Sequence, residues 1–174
     1  MNEEPLVILV DKNDNELGYM NKMEVHQKAL LHRAISVFLF NSKGEWLLQR
    51  RDSNKYHSGG LWTNATCSHP YPGETSYDAA NRRLMEELGI KCNLTELFTF
   101  IYKENLDNDL TEYELDHVFY GFTDQMPQVN SDEVMDWKYI SSENLIHDVN
   151  LYPDNYTVWF KKIIYKVHEL VKQS

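Results

Sequence analysis

Tyr77, Ala80, Leu84 and Leu88 recur at the spacing of one helix stripe, and Gly89 stands where such a helix would end. The chain leading into that helix is of another kind. From Arg51 to Gly73 it is rich in Gly, Asn, Ser, His and Pro and reads as irregular. Loops of that length are uncommon in compact domains and usually functional. Whatever the fold, it must hold a long, chemically loaded loop against one amphipathic helix, and the chemistry is to be sought there.

The frame is read from local pattern. Ile35 to Phe40 is β-branched and aromatic, Asn41-Ser42-Lys43-Gly44 is a turn, and Trp46-Leu47-Leu48 resumes the apolar run, which predicts a hairpin in the sheet core. Leu6 to Val10 reads as a strand, as do segments around Leu97 to Tyr102, Glu114 to Phe122 and Trp137 to Ile140. Tyr156 to Val171 reads as a C-terminal amphipathic helix offering Trp159, Phe160, Ile163, Ile164 and Val167 for burial. The turn from Asp11 to Asn15 opens like a calcium loop, but Glu16 and Lys22 occupy the places of its Gly and its Glu, so calcium is rejected there.

A chain of 174 residues suits one compact unit over residues 1–174, with its core over about 30–165. The formal net charge of -10 argues against a nucleic-acid backbone or an anionic membrane as the main partner, while leaving room for a small anionic substrate bound by local cations. The acidic opening Met1-Asn2-Glu3-Glu4-Pro5 lacks the basic and apolar regions of a signal peptide, and no apolar stretch approaches the length of a membrane span. With Cys67 and Cys92 as the whole cysteine content, a reducing compartment is expected, and Cys67 is free for chemistry.

Three short patterns carry that chemistry: His26 and His32, Cys67-x-His69, and Glu112-x-Glu114. In extended backbone, residues two apart project to one side, so each close pair can face one cavity. Three imidazoles and two carboxylates would make an N/O site for a divalent cation. Taken singly, each pattern is more often a surface or hydrogen-bonded histidine, a solvated strand edge or an inert buried thiol.

From Ser68 to Ile90 the spacing follows the Nudix motif: Gly, five residues, Glu, seven residues, Arg-Glu, an apolar residue, any residue, Glu-Glu, any residue, Gly, and an apolar residue. Glu74, Arg82, Leu84, Glu86, Glu87, Gly89 and Ile90 match, while Ser68 and Arg83 depart from the pattern. Without the motif, the same residues would be an amphipathic helix with two surface pairs, Arg82 with Glu86 and Arg83 with Glu87, worth at most about 0.5 kcal/mol each. Arg83 in place of a carboxylate should weaken multi-metal hydrolysis and supply a diphosphate-binding cation.

Trp62-Thr63-Asn64-Ala65-Thr66-Cys67-Ser68-His69-Pro70, with this altered helix behind it, resembles the type I isopentenyl-diphosphate isomerases of the Nudix superfamily. The resemblance runs from about Val7 to the C-terminal helix and takes in Leu31-His32-Arg33-Ala34 and Glu112-Tyr113-Glu114. It implies an α+β fold, an α/β/α sandwich with a mixed sheet flanked by helices and a loop-helix-loop motif. It also implies interconversion of isopentenyl and dimethylallyl diphosphate by protonation and deprotonation of the alkene.

By the same resemblance His26, His32, His69, Glu112 and Glu114 hold a divalent metal (magnesium, manganese or zinc), and Glu87 holds a magnesium ion that travels with the diphosphate. Cys67 and Glu114 form the acid/base pair, with Tyr102 beside Glu114 and Trp159 facing the carbocation. Lys22, Arg51, Lys55 and Arg83 hold the diphosphate. A monomeric, cytoplasmic enzyme is expected. The rival readings are a Nudix hydrolase acting on a diphosphate substrate and a catalytically silent Nudix domain that binds a ligand or partner.

Overall fold

The computed structural model describes residues 4–173; the opening Met1-Asn2-Glu3 lies outside them. Nine strands form one mixed sheet around β3, His32–Phe40. On one side β3 pairs in parallel with β8, Thr111–Phe122, from His32 opposite Glu114 to Phe40 opposite Phe122. On its other side lie, antiparallel, β4 (Trp46–Arg51) and β6 (Thr66–Ser68), and it touches β1 (Leu6–Val10) where Leu9 meets His32. Beyond these, β2 (Glu16–Asn21) pairs with β1, β5 (Trp62–Thr63) and β9 (Val134–Ile140) with β4, and β7 (Thr95–Asn105) with β8.

Alternation along β3 sorts the core into two layers. Ile35, Val37 and Leu39 point to the helix α2, Ser76–Leu88, and pack with Ala79, Ala80, Leu84 and Leu88. Phe38 and Phe40 point to the opposite face, where α3 (Ser142–Leu151) supplies Leu145 and Val149, and α4 (Val158–Lys172) supplies Trp159, Phe160, Ile163, Ile164 and Val167. A short helix α1, Lys22–Lys28, follows β2. Each fully buried large side chain contributes about 1.5–3 kcal/mol of transfer free energy, so both helix layers are anchored chiefly by these contacts. No helix among the described residues is long and apolar enough to cross a membrane.

Helix α2 begins and ends as its sequence indicates. Thr75 Oγ1 accepts from the Asp78 amide at 3.0 Å, and Gly89 takes a left-handed φ of 63° that closes the last turn. A Cβ at Gly89 would sit 3.0 Å from Gln128 Cβ, a second reason for glycine. The buried stripe differs from expectation at one end: Tyr77 is 46% exposed, and Ala79 and Glu87 are buried instead.

Other elements depart further. The Arg51 to Gly73 loop contains the short strands β5 and β6, because Thr63 and Cys67 flank a turn that folds back onto β4 and β3. The C-terminal helix starts at Val158; Thr157 is its extended N-cap, and Tyr156 bridges to Trp62. The elements β2, α1 and α3 were not legible from apolar spacing.

Candidate metal centre and adjoining cleft

Strand register assembles the centre. The parallel β3/β8 pairing sets His32 beside Glu114, and the antiparallel β7/β8 pairing sets Tyr102 on the other side of Glu114. Helix α1 brings His26, and the chain leaving β6 brings His69. One donor atom each from His26, His32, His69 and Glu112 lie within 4.8 Å of one another, and all four residues are buried. Glu114 joins at the edge: its Oε2 is 3.2 Å from His69 Nε2 and 4.0 Å from His32 Nε2.

Two of the rings are oriented by the backbone. His26 Nδ1 contacts the Lys22 carbonyl at 2.6 Å, and His32 Nδ1 contacts the Leu30 carbonyl at 2.9 Å. A carbonyl only accepts, so each Nδ1 carries the hydrogen and each Nε2 turns a lone pair inward. His26 Nε2 lies 2.9 Å and His32 Nε2 3.5 Å from Glu112 Oε1, with no hydrogen bond aligned at any of the three atoms. Lone pairs facing a carboxylate are satisfied only by a proton on each ring or by one cation among them. The first choice places like charges on rings with centroids 5.0 Å apart, for both His26–His32 and His32–His69. Burial, reinforced by His32, holds His69 well below the ordinary imidazole pKa. The donor set therefore fits a divalent ion.

The carboxylates differ. Burial pulls Glu112 upward, but the facing imidazoles of His26, His32 and His57 outweigh it and hold it well below the usual range. Glu114 is pushed well above that range by burial and by the Glu112 charge beside it. The Tyr102 hydroxyl donates to Glu114 Oε1 at 2.7 Å.

Cys67 faces the same inner cavity, whose lining includes Tyr102, Glu112, Glu114 and Trp159. Its Sγ is 3.1 Å from Asn64 Oδ1, which accepts the thiol hydrogen, and 3.0 Å from Trp159 Nε1, which donates. Both amide hydrogens of Asn64 go to the Val37 and Thr66 carbonyls, so its oxygen is fixed toward the sulfur. Burial, then the Asp116 carboxylate, push the thiol up to about 12. Asp116, itself pushed up to about 8 mainly by burial, accepts from Ser36 Oγ at 2.6 Å.

Outside this cavity lies a cleft lined by Lys22, Arg51, Lys55 and Arg83; Arg51, Tyr56, Cys67 and His69 line both spaces. Burial, then the charges of Lys55, Arg51 and Arg83, bring Lys22 down to about 8. Arg83 pairs with Glu86, Glu87 and Glu133 at 2.5, 2.6 and 2.7 Å, and Lys55 reaches Glu133 at 3.4 Å. Glu87 is buried outside the imidazole group, one oxygen on Arg83 and the other accepting from Gln49 at 2.6 Å.

All the residues singled out from the sequence thus fall in two adjoining places: the buried centre, and the cleft with Arg83 and Glu87 at its helix side. Sequence reasoning missed His57, Asp116 and Glu133, and gave no role to Asn64 although it stands in the stretch that carries the resemblance. For His57 and Asn64 a signal existed, since both stand in the irregular loop between Lys55 and Cys67.

The NUDIX domain family matches residues 30–160. An isopentenyl-diphosphate Delta-isomerase of Pectobacterium atrosepticum is 51% identical over 155 residues, covering 89% of this chain and 87% of that protein. An isopentenyl-diphosphate Delta-isomerase 2 of Photorhabdus laumondii is 52% identical over 159 residues, covering 91% and 90%. Among solved structures, DR0079 from Deinococcus radiodurans superposes with a TM-score of 0.70 at 20% identity, over 84% of this chain and 89% of that one, a likeness of fold alone.

Proposed function

Because the chain belongs to the NUDIX domain family and, within it, to the isopentenyl-diphosphate Delta-isomerases, we propose that it interconverts isopentenyl and dimethylallyl diphosphate, with Cys67 and Glu114 as its acid/base pair. The observation that carries this reading is the placement of a half-buried thiol and a buried carboxylate on one small cavity that opens into a cationic cleft.

Isomerisation moves a carbon–carbon double bond. A proton is added at one end of a three-carbon unit, a tertiary cation forms, and a proton leaves the other end. Burial keeps the Cys67 thiol protonated as a donor, while Glu114, beside the cation proposed for this centre, would be the ionised partner that accepts. They exchange roles between the two directions of the reaction. Tyr102 orients Glu114, and Asn64 and Trp159 orient the thiol. The Trp159 ring, buried on the cavity wall, suits the developing cation, where a desolvated cation–π contact contributes about 2 kcal/mol or more. Bound substrate filling this small cavity would keep water from the cation.

His26, His32, His69, Glu112 and Glu114 would hold magnesium, manganese or zinc. Such an ion supplies positive charge that lets Glu112 and Glu114 ionise side by side. Lys22, Arg51, Lys55 and Arg83 would bind the diphosphate, with Glu87 on an accompanying magnesium, and that remote binding energy holds the alkene in place. Hydrolysis, the rival reading, is disfavoured because Arg83 stands where the hydrolase motif carries a carboxylate, which leaves the multi-metal cluster short of a ligand. The chain works in this reading as a monomer and a single domain; its two free thiols, Cys67 and Cys92, suit the cytoplasm.

One assay decides among the readings. Isopentenyl diphosphate incubated with the protein and magnesium should give dimethylallyl diphosphate. Released phosphate would indicate a hydrolase, and an unchanged substrate a binding domain.

A further inference from the structure

His57 belongs to none of the roles above, yet its ring is 2% exposed and reaches the centre from the loop that carries Arg51 and Lys55. Its Nε2 is buried without an aligned hydrogen bond and faces Glu112 Oε2 at 3.2 Å. Its Nδ1 meets Ser58 Oγ at 3.0 Å. The ring packs edge-on against Tyr56 and Trp159, with centroids 4.3 and 5.7 Å away, so it has little freedom to turn. It stands outside the four residues whose donor atoms cluster within 4.8 Å.

Glu112 divides its two oxygens. Oε1 faces His26 and His32, and Oε2 faces His57. A carboxylate that ligates through one oxygen needs a donor on the other to hold its plane. The Ser58 hydroxyl can donate to Nδ1, and the neutral ring then carries its hydrogen on Nε2, the atom turned to Glu112.

We propose that His57 is a positioning residue for the metal centre, donating from Nε2 to Glu112 Oε2 so that Oε1 stays aimed at His26 and His32. The inference rests on the reading of His26, His32, His69, Glu112 and Glu114 as metal ligands. It also links the centre to the diphosphate cleft. Arg51 Nη2 donates to the His57 carbonyl at 3.1 Å, and the Ser58 amide donates to Asp107 at 3.1 Å, so one short segment is pinned to a cleft cation, to the β7–β8 connection and to Glu112.

The test is Mn2+ binding to the metal-stripped protein, followed by the paramagnetic resonance signal of the free ion. His57→Phe keeps a flat ring against Tyr56 and Trp159 and removes the donor; His57→Leu also removes the ring, and serves where Phe is not tolerated. His57→Gln keeps a donor near the Nε2 position. Affinity should fall about tenfold to a hundredfold in the Phe and Leu variants and stay within about threefold of the parent in the Gln variant. Pulsed resonance should count the same coordinated imidazoles in parent and Phe variant. Parental affinity in the Phe or Leu variant, or equal losses in Phe and Gln, would overturn the proposal. Loss of one imidazole from the Phe spectrum would do so too, by making His57 a ligand. A parent chain that binds no Mn2+ would instead defeat the reading of the centre itself.

Discussion

The indole Nε1 of Trp159 donates to Sγ of Cys67 across 3.0 Å, joining helix α4 to strand β6 at the wall of the inner cavity. Trp159 therefore has two separable parts, a ring face suited to a carbocation and an N–H suited to a thiolate. Trp159→Phe keeps a face and loses the N–H; Trp159→Leu loses both. A hydrogen bond to a charged group is worth about 1.5–3 kcal/mol and the face about 2 kcal/mol, so turnover should fall roughly tenfold or more for Phe and about thirtyfold further for Leu. Rates are to be compared in folded, metal-loaded protein. Equal turnover of parent and Phe would remove the N–H from the mechanism, and equal turnover of Phe and Leu would remove the face.

Cys67→Ala and Glu114→Gln should each abolish nearly all isomerisation with the fold intact, since each deletes a proton-transfer group that lines the inner cavity. Circular dichroism and a thermal melt establish the fold. Near-parental turnover in either variant would reject the pair.

Glu112→Gln should act through the metal. The orphaned Nε2 atoms of His26 and His32 lose a facing carboxylate, so activity should drop and partly return in excess metal. In the parent, a chelator should lower the melting temperature as well as activity. Ligand at a hundred times its Kd stabilises by about 2.7 kcal/mol, which melting with and without Mn2+ would register. An unchanged melt would speak against the centre.

Glu133 pairs with Arg83 and Lys55, two of the cations proposed to bind the diphosphate. Burial pulls its carboxyl upward, but the Arg83 hydrogen bond and the charges of Arg83 and Lys55 outweigh that and hold it below the ordinary value. A depressed carboxylate stabilises the fold above its unfolded pKa, and the contribution is lost as pH falls through the folded pKa. Glu133→Gln should thus be less stable than the parent at pH 7, with the gap closing in acid, while the KM for substrate falls and kcat holds. A raised KM would mean that Glu133 aims these cations instead of occupying them.

Local pattern made much of this molecule legible, and the limits have physical causes. Thr75, the stripe through Leu84 and Leu88, and Gly89 specify α2 because capping and helical period are properties of neighbouring residues. The alternation through Ile35, Val37 and Leu39 marks β3 for the same reason. Strand β2 is mostly exposed, and α1 buries only Val25 and His26, so neither leaves an apolar period to read. The pairing of His32 with Glu114 depends on a parallel register between strands far apart in the chain, which no local pattern encodes. The Nudix spacing and the Cys67-x-His69 pattern named residues that the fold brings into neighbouring places, a convergence that spacing alone does not encode. His57 went unread because a loop histidine has no periodicity to betray its burial.

The central claim is that the double bond moves by addition and removal of protons at Cys67 and Glu114. Its most direct test is isomerisation of isopentenyl diphosphate in deuterated water, with the product examined by mass spectrometry. The expected result is dimethylallyl diphosphate carrying solvent deuterium, formed without phosphate release and absent with Cys67→Ala. Unlabelled dimethylallyl diphosphate, as an internal hydride shift would give, or release of phosphate in its place, would contradict it.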